Sequence, residues 1–299
     1  MEKLIKLLRE EGPLTGKELF EKTGMDVLPL WRACYKSGDI TAKEFGKKYL
    51  RLDKKVQGYA RLSPSIMREF LTYTVVGLNT DINEIERKAE ALHERIKLIS
   101  KNKYELAYNT ISKIIEPLED SDDLKRNFCV IIAGDVVYDM AHSELRPEAS
   151  SGKLVKGSDL DIIVISRDLS EAQMKRLDLL IYREKGYLLK NPGYMEEIDY
   201  VIKDISKTYE QMDFNDFKAM VASKILHEGV FLYGRHEIFQ SVKSMLTEKK
   251  VPEKLSKLEE QATINSKAAF KYLLENESEL FEKEFTMYFY TKEESEEIF

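Results

Sequence analysis

The chain has 299 residues, of which 43% are apolar and 33% are charged, with only 14 Gly and 7 Pro. This length suits about two or three domains, and the composition excludes collagen-like, mucin-like and largely disordered proteins. No apolar run approaches the roughly 20 residues that a membrane-spanning helix needs, and the charged N-terminus MEKLIKLLREEG is not typical of a signal peptide. We therefore expect a soluble cytoplasmic protein with no membrane partner.

The content of cysteine and histidine excludes two further classes of site. Cys34 and Cys129 are the only cysteines, and the chain has only 4 His. Two cysteines so far apart in sequence cannot build a disulfide framework, and no Cys and His spacing matches a zinc cluster. His142, His227 and His236 also lack the spacing of a metal site or a catalytic triad, so we expect structural roles for them.

Charge is distributed unevenly along the chain. Residues 1–65 contain 10 Lys and 4 Arg against 9 Asp and Glu, a net charge of +5, whereas the remaining residues carry a net charge of −11. A basic leading segment on an acidic body permits contact with a nucleic acid at the front of the chain.

The same leading segment, residues 1–65, has the pattern of three short helices followed by a hairpin. Apolar residues at 4–8 form the stripe of a first helix, Thr15 precedes the second, and DVLPLWRACYKSG follows as the third. Two β-like stretches come next, at approximately 48–52 and 59–62.

This layout resembles a winged helix-turn-helix domain. In that family the third helix reads the major groove and the wing contacts phosphate, which implies that nucleic acid is bound by basic residues of those two elements. The implied residues are Arg32 and Lys36 in the third helix and Lys47, Lys48, Lys54 and Lys55 in the wing. The alternative is a domain that only docks a protein and whose lysines form a solvated surface. Trp31 is expected in the core of this domain.

The predicted fold class is α+β. Residues 66–120 are predicted to be a helical linker, because their apolar residues recur at helical spacing. Residues 121–236 alternate between strands (FCVIIAG, LDIIVIS and IDYVIKD) and helices (VVYDMAHSEL and approximately 170–185), which predicts a domain with a mixed sheet. Residues 237–299 return to charged helices. Their Tyr and Phe at 288–290 are expected to pack against the body or a second subunit.

Two aspartates at the start of the second predicted strand carry the strongest chemical signal. Asp159 and Asp161, in GSDLDIIV, stand at positions i and i+2, so both project from one face of the strand. Their mutual repulsion calls for a cation, and Mg²⁺ prefers such carboxylate ligands. Asp199, in EIDYVI, is placed to add a third carboxylate from a neighbouring strand. The alternative is that the pair only caps a turn and solubilises a strand edge.

Over approximately residues 127–236, the chain resembles the nucleotidyltransferase superfamily that includes DNA polymerase beta. The resemblance rests on the turn at Gly134 followed in order by GSDLDIIV, IDYVI and ILHEGVFLYG. It implies a polymerase beta-like fold and a two-metal site in which Asp159, Asp161 and Asp199 are catalytic and bind Mg²⁺, with Mn²⁺ as the alternative. The implied reaction moves a nucleoside monophosphate from an NTP to a hydroxyl of an RNA end, a protein or a small molecule.

The same resemblance implies nucleotide contacts from Gly134, Asp135, Ser158 and Lys224. The Gly134 turn would present backbone N–H groups to phosphate. Asp135 departs from the family pattern, which usually has Ser or Gly there, and its carboxylate would repel a triphosphate. Lys224 lies beside an apolar stripe, where it either reaches inward to phosphate or extends its stem along the surface. The segment ELRPEASSGKLVKGS is expected to be a flexible loop beside this site.

Two functions are compatible with these residues. One is a Mg²⁺-dependent nucleotidyltransferase, which the complete set of Asp159, Asp161 and Asp199 favours. The other is a DNA-binding transcriptional regulator whose inactive nucleotidyltransferase-like domain senses a nucleotide, which Asp135 and the basic leading segment favour. A protein–protein adaptor would leave the aspartates unexplained, and a homodimer is left open.

Overall fold

The structure is a computed structural model that describes residues 1–148, 152–276, 282–291 and 294. The chain divides into two compact units. The first unit is Met1–Arg95 with Lys257–Phe299, and the second is Ile96–Ser256. Both combine helices with strands, so the predicted α+β class is confirmed. No helix within the described ranges is long and apolar enough to cross a membrane.

The first 115 residues contain five α-helices, a 3₁₀ turn at Asn79–Asp81 and five strands. The helices are α1 Glu2–Glu11, α2 Gly16–Thr23, α3 Val27–Lys36, α4 Ile66–Tyr73 and α5 Ile82–Ile115. The strands are β1 Leu14–Thr15, β2 Ile40–Glu44, β3 Tyr49–Leu52, β4 Ala60–Ser63 and β5 Thr74–Leu78. Strands β1, β5 and β2 form an antiparallel sheet in that order, and β3 pairs with β4 in an antiparallel hairpin. The three short helices and the hairpin were predicted correctly.

The local sequence explains where these helices begin and end. The Thr15 side chain accepts a hydrogen bond from the backbone N–H of Glu18, and the Glu18 carboxylate accepts one from the N–H of Thr15. This capping box starts α2. The helix ends at Gly24, whose φ of 63° is a left-handed conformation that favours glycine.

The segment at 66–120 differs from the predicted helical linker. It contains α4 and α5, but it also contains β5, the central strand of the first sheet. Because β5 pairs with both β1 and β2, the residues around it belong to the first unit. The predicted boundary at residue 65 therefore falls inside that unit, between β4 and α4.

The second unit is built on a four-stranded mixed sheet. Its helices, after the end of α5, are α6 Ser121–Asn127, α7 Glu171–Lys190, α8 Ile205–Gln211, α9 Phe217–Glu228 and α10 His236–Glu248. Its strands are β6 Phe128–Ala133, β7 Leu145–Pro147, β8 Leu154–Lys156, β9 Leu160–Ser166, β10 Ile198–Asp204 and β11 Val230–Gly234. The strand order is β10-β9-β6-β11, with β10 and β9 parallel and the other neighbours antiparallel. The predicted strands at β6, β9 and β10 are confirmed, as is the amphipathic helix that α7 forms.

Two predictions for the region between β6 and β9 were wrong. VVYDMAHSEL does not form a helix: a short 3₁₀ turn, Gly134–Tyr138, ends at Asp139, whose φ of 60° stops helical continuation. ELRPEASSGKLVKGS, expected to be a flexible loop, contains the antiparallel hairpin β7–β8. Backbone bonding extends this hairpin, because the N–H of Gly157 donates to the carbonyl of Glu144 at 2.8 Å. Residues 149–151 lie outside the described residues.

From Lys257 onward, the C-terminal segment completes the first unit. Its elements are α11 Val251–Glu275, whose first residues belong to the second unit, α12 Glu282–Glu284 and a π-helical turn Phe285–Phe289. Trp31 is 1% exposed, and its ring centroid lies 4.9 Å from that of Phe270 and 6.0 Å from that of Phe289. The predictions that Trp31 is a core residue and that the aromatic tail residues pack against the body are therefore confirmed. Both cysteines, Cys34 and Cys129, are buried and form no disulfide.

Candidate functional site

The sheet of the second unit brings the three predicted aspartates together. Asp161 on β9 and Asp199 on β10 are register partners in the parallel ladder, so both project from one face of strands about 4.8 Å apart. Asp159 comes directly before Leu160, the first residue of β9. All three therefore lie at the N-terminal ends of β9 and β10.

Gly134 borders this group from the next strand. Ala133, the last residue of β6, pairs with Asp161, and the chain then turns at Gly134 with a φ of 71°. A Cβ atom on Gly134 would lie 2.0 Å from the Oδ2 atom of Asp161. Only glycine therefore allows the backbone of this turn to pass so close to the carboxylate.

Burial and crowding of like charges set the electrostatics of the aspartates. Burial, followed by the nearby carboxylates of Asp159, Asp135, Asp199 and Glu228, raises the pKa of Asp161 well above its ordinary value. Burial also raises the pKa of Asp159, and the Asp199 and Asp135 carboxylates add to that shift. The cluster therefore disfavours negative charge, and a bound cation would relieve that cost.

Two basic residues that the sequence analysis did not single out lie beside the aspartates. The Nζ atom of Lys185 on α7 lies 3.2 Å from Oδ1 of Asp199. Arg146 on β7 pairs with Glu197 at 2.9 Å and donates from Nε to the carbonyl of Gly157 at 2.7 Å. No local signal marks Lys185 within an amphipathic helix, and Arg146 falls in the segment that was predicted to be a flexible loop.

Asp135 and Ser158, both predicted to contact nucleotide, bind each other. The Ser158 hydroxyl donates to Oδ2 of Asp135 at 2.6 Å. The backbone N–H of Ser158 also donates to the carbonyl of His142 at 3.2 Å, and the N–H of His142 donates to the Ser158 hydroxyl at 3.3 Å. The unusual carboxylate after Gly134 therefore holds the loop that carries Asp159 against the 3₁₀ turn.

Lys224 lies near the same turn but pairs with an acidic side chain. Its ammonium group forms an ion pair with Glu228, one turn later on α9. The Tyr138 hydroxyl donates to the same carboxylate at 2.7 Å, and the Lys224 Nζ atom lies 5.8 Å from the centre of the Tyr138 ring. Lys224 thus connects α9 to the 3₁₀ turn.

Arg32 and Lys48, both predicted to bind nucleic acid, are held by acceptors of the first unit. The Arg32 guanidinium donates from Nε to the carbonyl of Leu273 at 2.7 Å and from Nη2 to the carbonyl of Asn276. Both carbonyls lie at the C-terminal end of α11, where the helix leaves acceptors unsatisfied. Lys48 lies 2.7 Å from Oε1 of Glu69 and 3.3 Å from Oε2 of Glu44.

The other four predicted residues lie at the surface of the first unit. They are Lys36, Lys47, Lys54 and Lys55, and all four are exposed. Their positions at the end of α3 and in and before the β3–β4 hairpin leave them accessible to a large polyanion.

The three aspartates have the ligand chemistry that magnesium prefers, but their side chains are not arranged as a metal site. Asp159, Asp161 and Asp199 offer the carboxylate oxygens that Mg²⁺ prefers, and a cation would offset their mutual repulsion. However, within the described ranges no group of three or more His, Cys, Asp or Glu side chains converges closely enough to hold a metal ion. In this arrangement Asp199 pairs with the Lys185 ammonium group.

Comparison with known proteins assigns no family. No protein-family model, no curated protein and no solved structure matches the chain significantly. Function must therefore be inferred from the residues of the site itself.

Proposed function

We propose that the second unit is a Mg²⁺-dependent nucleotidyltransferase with a polymerase beta-like fold. It would transfer a nucleoside monophosphate from an NTP to a hydroxyl acceptor in the cytoplasm. The observation that carries this proposal is the pairing of Asp161 with Asp199 across β9 and β10, with Asp159 two residues earlier. A pair of aspartates that only solubilised a strand edge would not need a third carboxylate at a matched position on the neighbouring strand.

In this proposal all three aspartates bind magnesium, and Asp199 has a second role as proton acceptor. Asp159, Asp161 and Asp199 would hold magnesium. The chemistry supplied by bound Mg²⁺ is neutralisation of charge on the transferring phosphate and activation of the acceptor hydroxyl. Asp199 is the most exposed of the three, with 59% of its side chain accessible, so it is best placed to accept the proton of an incoming hydroxyl.

Residues around the three aspartates would bind and position the NTP. The backbone of the Gly134 turn would donate N–H groups to the phosphates, and the Asp135–Ser158 hydrogen bond would hold that turn in position. The Lys185 ammonium group, 3.2 Å from Oδ1 of Asp199, would be available to the negative charge of the NTP.

For the first unit we propose a winged helix-turn-helix fold that binds nucleic acid. The order of α1, α2, α3 and the β3–β4 hairpin supports this fold. The exposed residues Lys36, Lys47, Lys54 and Lys55 are the proposed contacts. Arg32 is left out of that set because its half-buried guanidinium holds the carbonyl of Leu273 at the end of α11, and Lys48 because it neutralises the buried carboxylate of Glu69.

The catalytic proposal is tested by transfer of label from each of the four α-labelled NTPs, with Mg²⁺ or Mn²⁺, to cellular RNA or protein. Asp161→Asn is expected to lower transfer by about 100-fold or more, because the cation loses a ligand charge. Asp168→Asn is the matched control: Asp168 is exposed just after β9, and asparagine tolerates its left-handed φ of 66°. Equal transfer by the wild type and Asp161→Asn would refute the proposed site. Metal-dependent nucleotide binding with no transfer to any acceptor would favour the regulator.

A further inference from the structure

The four-stranded sheet of the second unit ends in β10 on one side and β11 on the other. An edge strand carries a row of unpaired backbone N–H and C=O groups, which proteins commonly protect with a bulge, a proline or a short length. Strand β11 has a register shift between Phe231 and Tyr233. Strand β10 pairs with β9 without interruption over Ile198–Asp204 and contains neither glycine nor proline. Among the described residues β9 is the only strand that pairs with β10, so the outer edge of β10 can accept a further strand.

Alternate residues of β10 direct their backbone groups toward this outer edge. The N–H of Leu160 donates to the carbonyl of Glu197, just before β10, at 2.9 Å. Successive residues of a strand direct their N–H and C=O groups to opposite sides, so the odd-numbered residues of β10 bond toward β9. The backbone groups of Tyr200 and Ile202 therefore point outward.

The side chains of β10 carry opposite charges on one face of the sheet. Asp199, Val201 and Lys203 alternate with residues of the other face and so project from the same side. The exposed Asp199 carboxylate is contacted by Lys185 at Oδ1, and the half-buried Lys203 ammonium group donates to Oε1 of Gln211 at 2.8 Å. The strand thus presents an anion near its beginning and a cation near its end, with a valine midway between them.

This pattern is complementary to itself. A two-fold axis at Val201 pairs β10 with β10 of a second copy in antiparallel orientation, and the outward groups of Tyr200 and Ile202 then bond to each other across the axis. Asp199 lies directly opposite Lys203 of the second copy, with Cβ atoms about 5 Å apart, and the symmetry repeats this pair. Moving the axis to Tyr200 or Ile202 places Val201 opposite one of the charged residues and loses both ion pairs.

Helix α7 adds exposed apolar surface beside the same edge. The Tyr200 hydroxyl donates to Oδ1 of Asp178 at 2.8 Å, which places this part of α7 next to β10. Leu179 and Tyr182, within about one helical turn of Asp178, are both exposed. Val201 is itself 39% exposed. Apolar side chains and outward backbone groups therefore lie together along this edge, a combination that suits addition of a strand.

We infer that the outer edge of β10 is an interface at which two copies of this chain pair to form one continuous sheet. The ion pairs between Asp199 and Lys203 set its register, while the backbone bonds and the apolar contacts of α7 provide affinity. Asp199 also belongs to the candidate site, so Lys203 of the second copy adds a cation at the rim of that site. The inference does not rest on nucleotidyl transfer, because its evidence is the strand edge and the order of charges along it.

Sedimentation equilibrium of the full chain at about 1–100 μM tests this interface. We expect the wild type to approach twice the 34.8 kDa mass of one chain. Asp199→Lys and Lys203→Asp each place like charges opposite one another, so either variant alone should raise the dissociation constant of the dimer about tenfold or more. An equimolar mixture of the two variants restores both ion pairs in a heterodimer and should regain nearly the wild-type affinity. Lys218→Asp makes the same change of charge at an exposed position of α9 and should dimerise like the wild type.

A disulfide trap tests the register directly. Val201→Cys places two thiols opposite each other at the axis, in a non-hydrogen-bonded pair whose Cα separation of about 4.5 Å suits a disulfide. Val230→Cys is the matched control, because Val230 is also 39% exposed but lies on β11 at the other edge. Mild oxidation should yield a covalent dimer from Val201→Cys and not from Val230→Cys, since the native cysteines, Cys34 and Cys129, are buried.

Three results would each overturn the inference. They are a wild type that keeps the mass of one chain throughout this concentration range, a mixture of the two charge variants that associates no better than either variant alone, and equal cross-linking of Val201→Cys and Val230→Cys. Far-UV circular dichroism of each variant separates loss of the dimer from loss of the fold. If either charge variant does not fold, the disulfide trap decides by itself.

Discussion

The backbone of Gly134 lies directly against the carboxylate of Asp161. A methyl group at position 134 would approach Oδ2 of Asp161 to 2.0 Å, and the φ of 71° adds the strain that any L side chain meets there. We therefore expect Gly134→Ala to lower the free energy of unfolding of the second unit by about 2 kcal/mol or more. Urea unfolding followed by far-UV circular dichroism measures this change.

Gly152→Ala is the matched control for this prediction. Gly152 belongs to the same unit and has a similar φ of 66°, but a Cβ atom there would meet no atom of the described residues within 4 Å. Its substitution should cost only the conformational term of about 1 kcal/mol. Equal losses in the two variants would show that the Asp161 carboxylate moves aside without cost, and the rigid contact would be refuted.

A buried ion pair joins α5 to the segment before β10. The side chains of Lys103 and Glu196 are 4% and 10% exposed and form an ion pair, and Lys103 also donates to the carbonyl of Lys156 at 2.9 Å. Lys103→Met would leave a buried carboxylate without its partner. We expect a loss of about 3–5 kcal/mol in the free energy of unfolding, measured by urea titration.

The comparison for Lys103 is Lys101, two residues earlier on the same helix. Its ion pair with Glu105 spans 3.9 Å between side chains that are 71% and 57% exposed, so Lys101→Met should cost less than about 0.5 kcal/mol. Adding Glu196→Met to Lys103→Met should recover part of the lost stability, since no buried charge then remains unpaired. A double variant that is less stable than Lys103→Met would contradict this account.

Helices and strands that are marked by residues close together in the sequence could be predicted well. Strand β6 is buried along its whole length and therefore has a continuous apolar run, which identifies it without its neighbours. The helices α2 and α7 begin at capping boxes formed by Thr15 and Ser170, and such boxes are visible as Ser or Thr three residues before Glu or Gln. Asp159 and Asp161 were singled out for the same reason, since their i, i+2 spacing is local.

Features that depend on distant residues were missed. Strand β1 is only Leu14–Thr15 and exists because it pairs with β5, about 60 residues later. The 3₁₀ turn replaced a predicted helix because of hydrogen bonds to its neighbours, among them the one from Ser158 to Asp135. Lys185 reaches Asp199 only because α7 packs against β10. Such long-range contacts leave no periodic mark in the sequence.

The acidic pair of Glu69 and Glu44 predicts a pH-dependent stability of the first unit. Burial, reinforced by Glu44, raises the pKa of Glu69 to about 7 despite its ion pair with Lys48. The folded state therefore binds this proton more tightly than the unfolded state. The resulting stability is fully present below about pH 4.5 and is lost as the pH rises through 7, a change of about 3 kcal/mol.

Glu69→Gln should remove this slope from the unfolding free energy between pH 4.5 and 8. Trp31 is the only tryptophan of the chain and lies in the core of the first unit, so its fluorescence reports unfolding of that unit. Glu21→Gln, at an exposed position of the same unit, should retain the wild-type slope. A wild-type stability that rises with pH in this window, or a slope that persists in Glu69→Gln, would show that Glu69 does not cause it.

Substitution of Arg32 distinguishes a structural role of this residue from a role in nucleic-acid binding. Its guanidinium donates to the carbonyls of Leu273 and Asn276 at the end of α11. Arg32→Met would leave these acceptors without a charged donor, so we expect a loss of about 1–3 kcal/mol in the unfolding free energy reported by Trp31. Lys36→Met changes an exposed residue of the same helix and should stay within about 0.5 kcal/mol of the wild type.

The same two variants should behave in the opposite way toward nucleic acid. Under conditions where both are folded, Lys36→Met should weaken binding to a DNA or RNA duplex and reduce its salt dependence, because one phosphate contact is lost. Arg32→Met should leave the affinity and its salt slope unchanged. If Arg32→Met instead weakens binding without loss of stability, the guanidinium must release the end of α11 to reach phosphate, and the third helix would then contact nucleic acid through both basic residues.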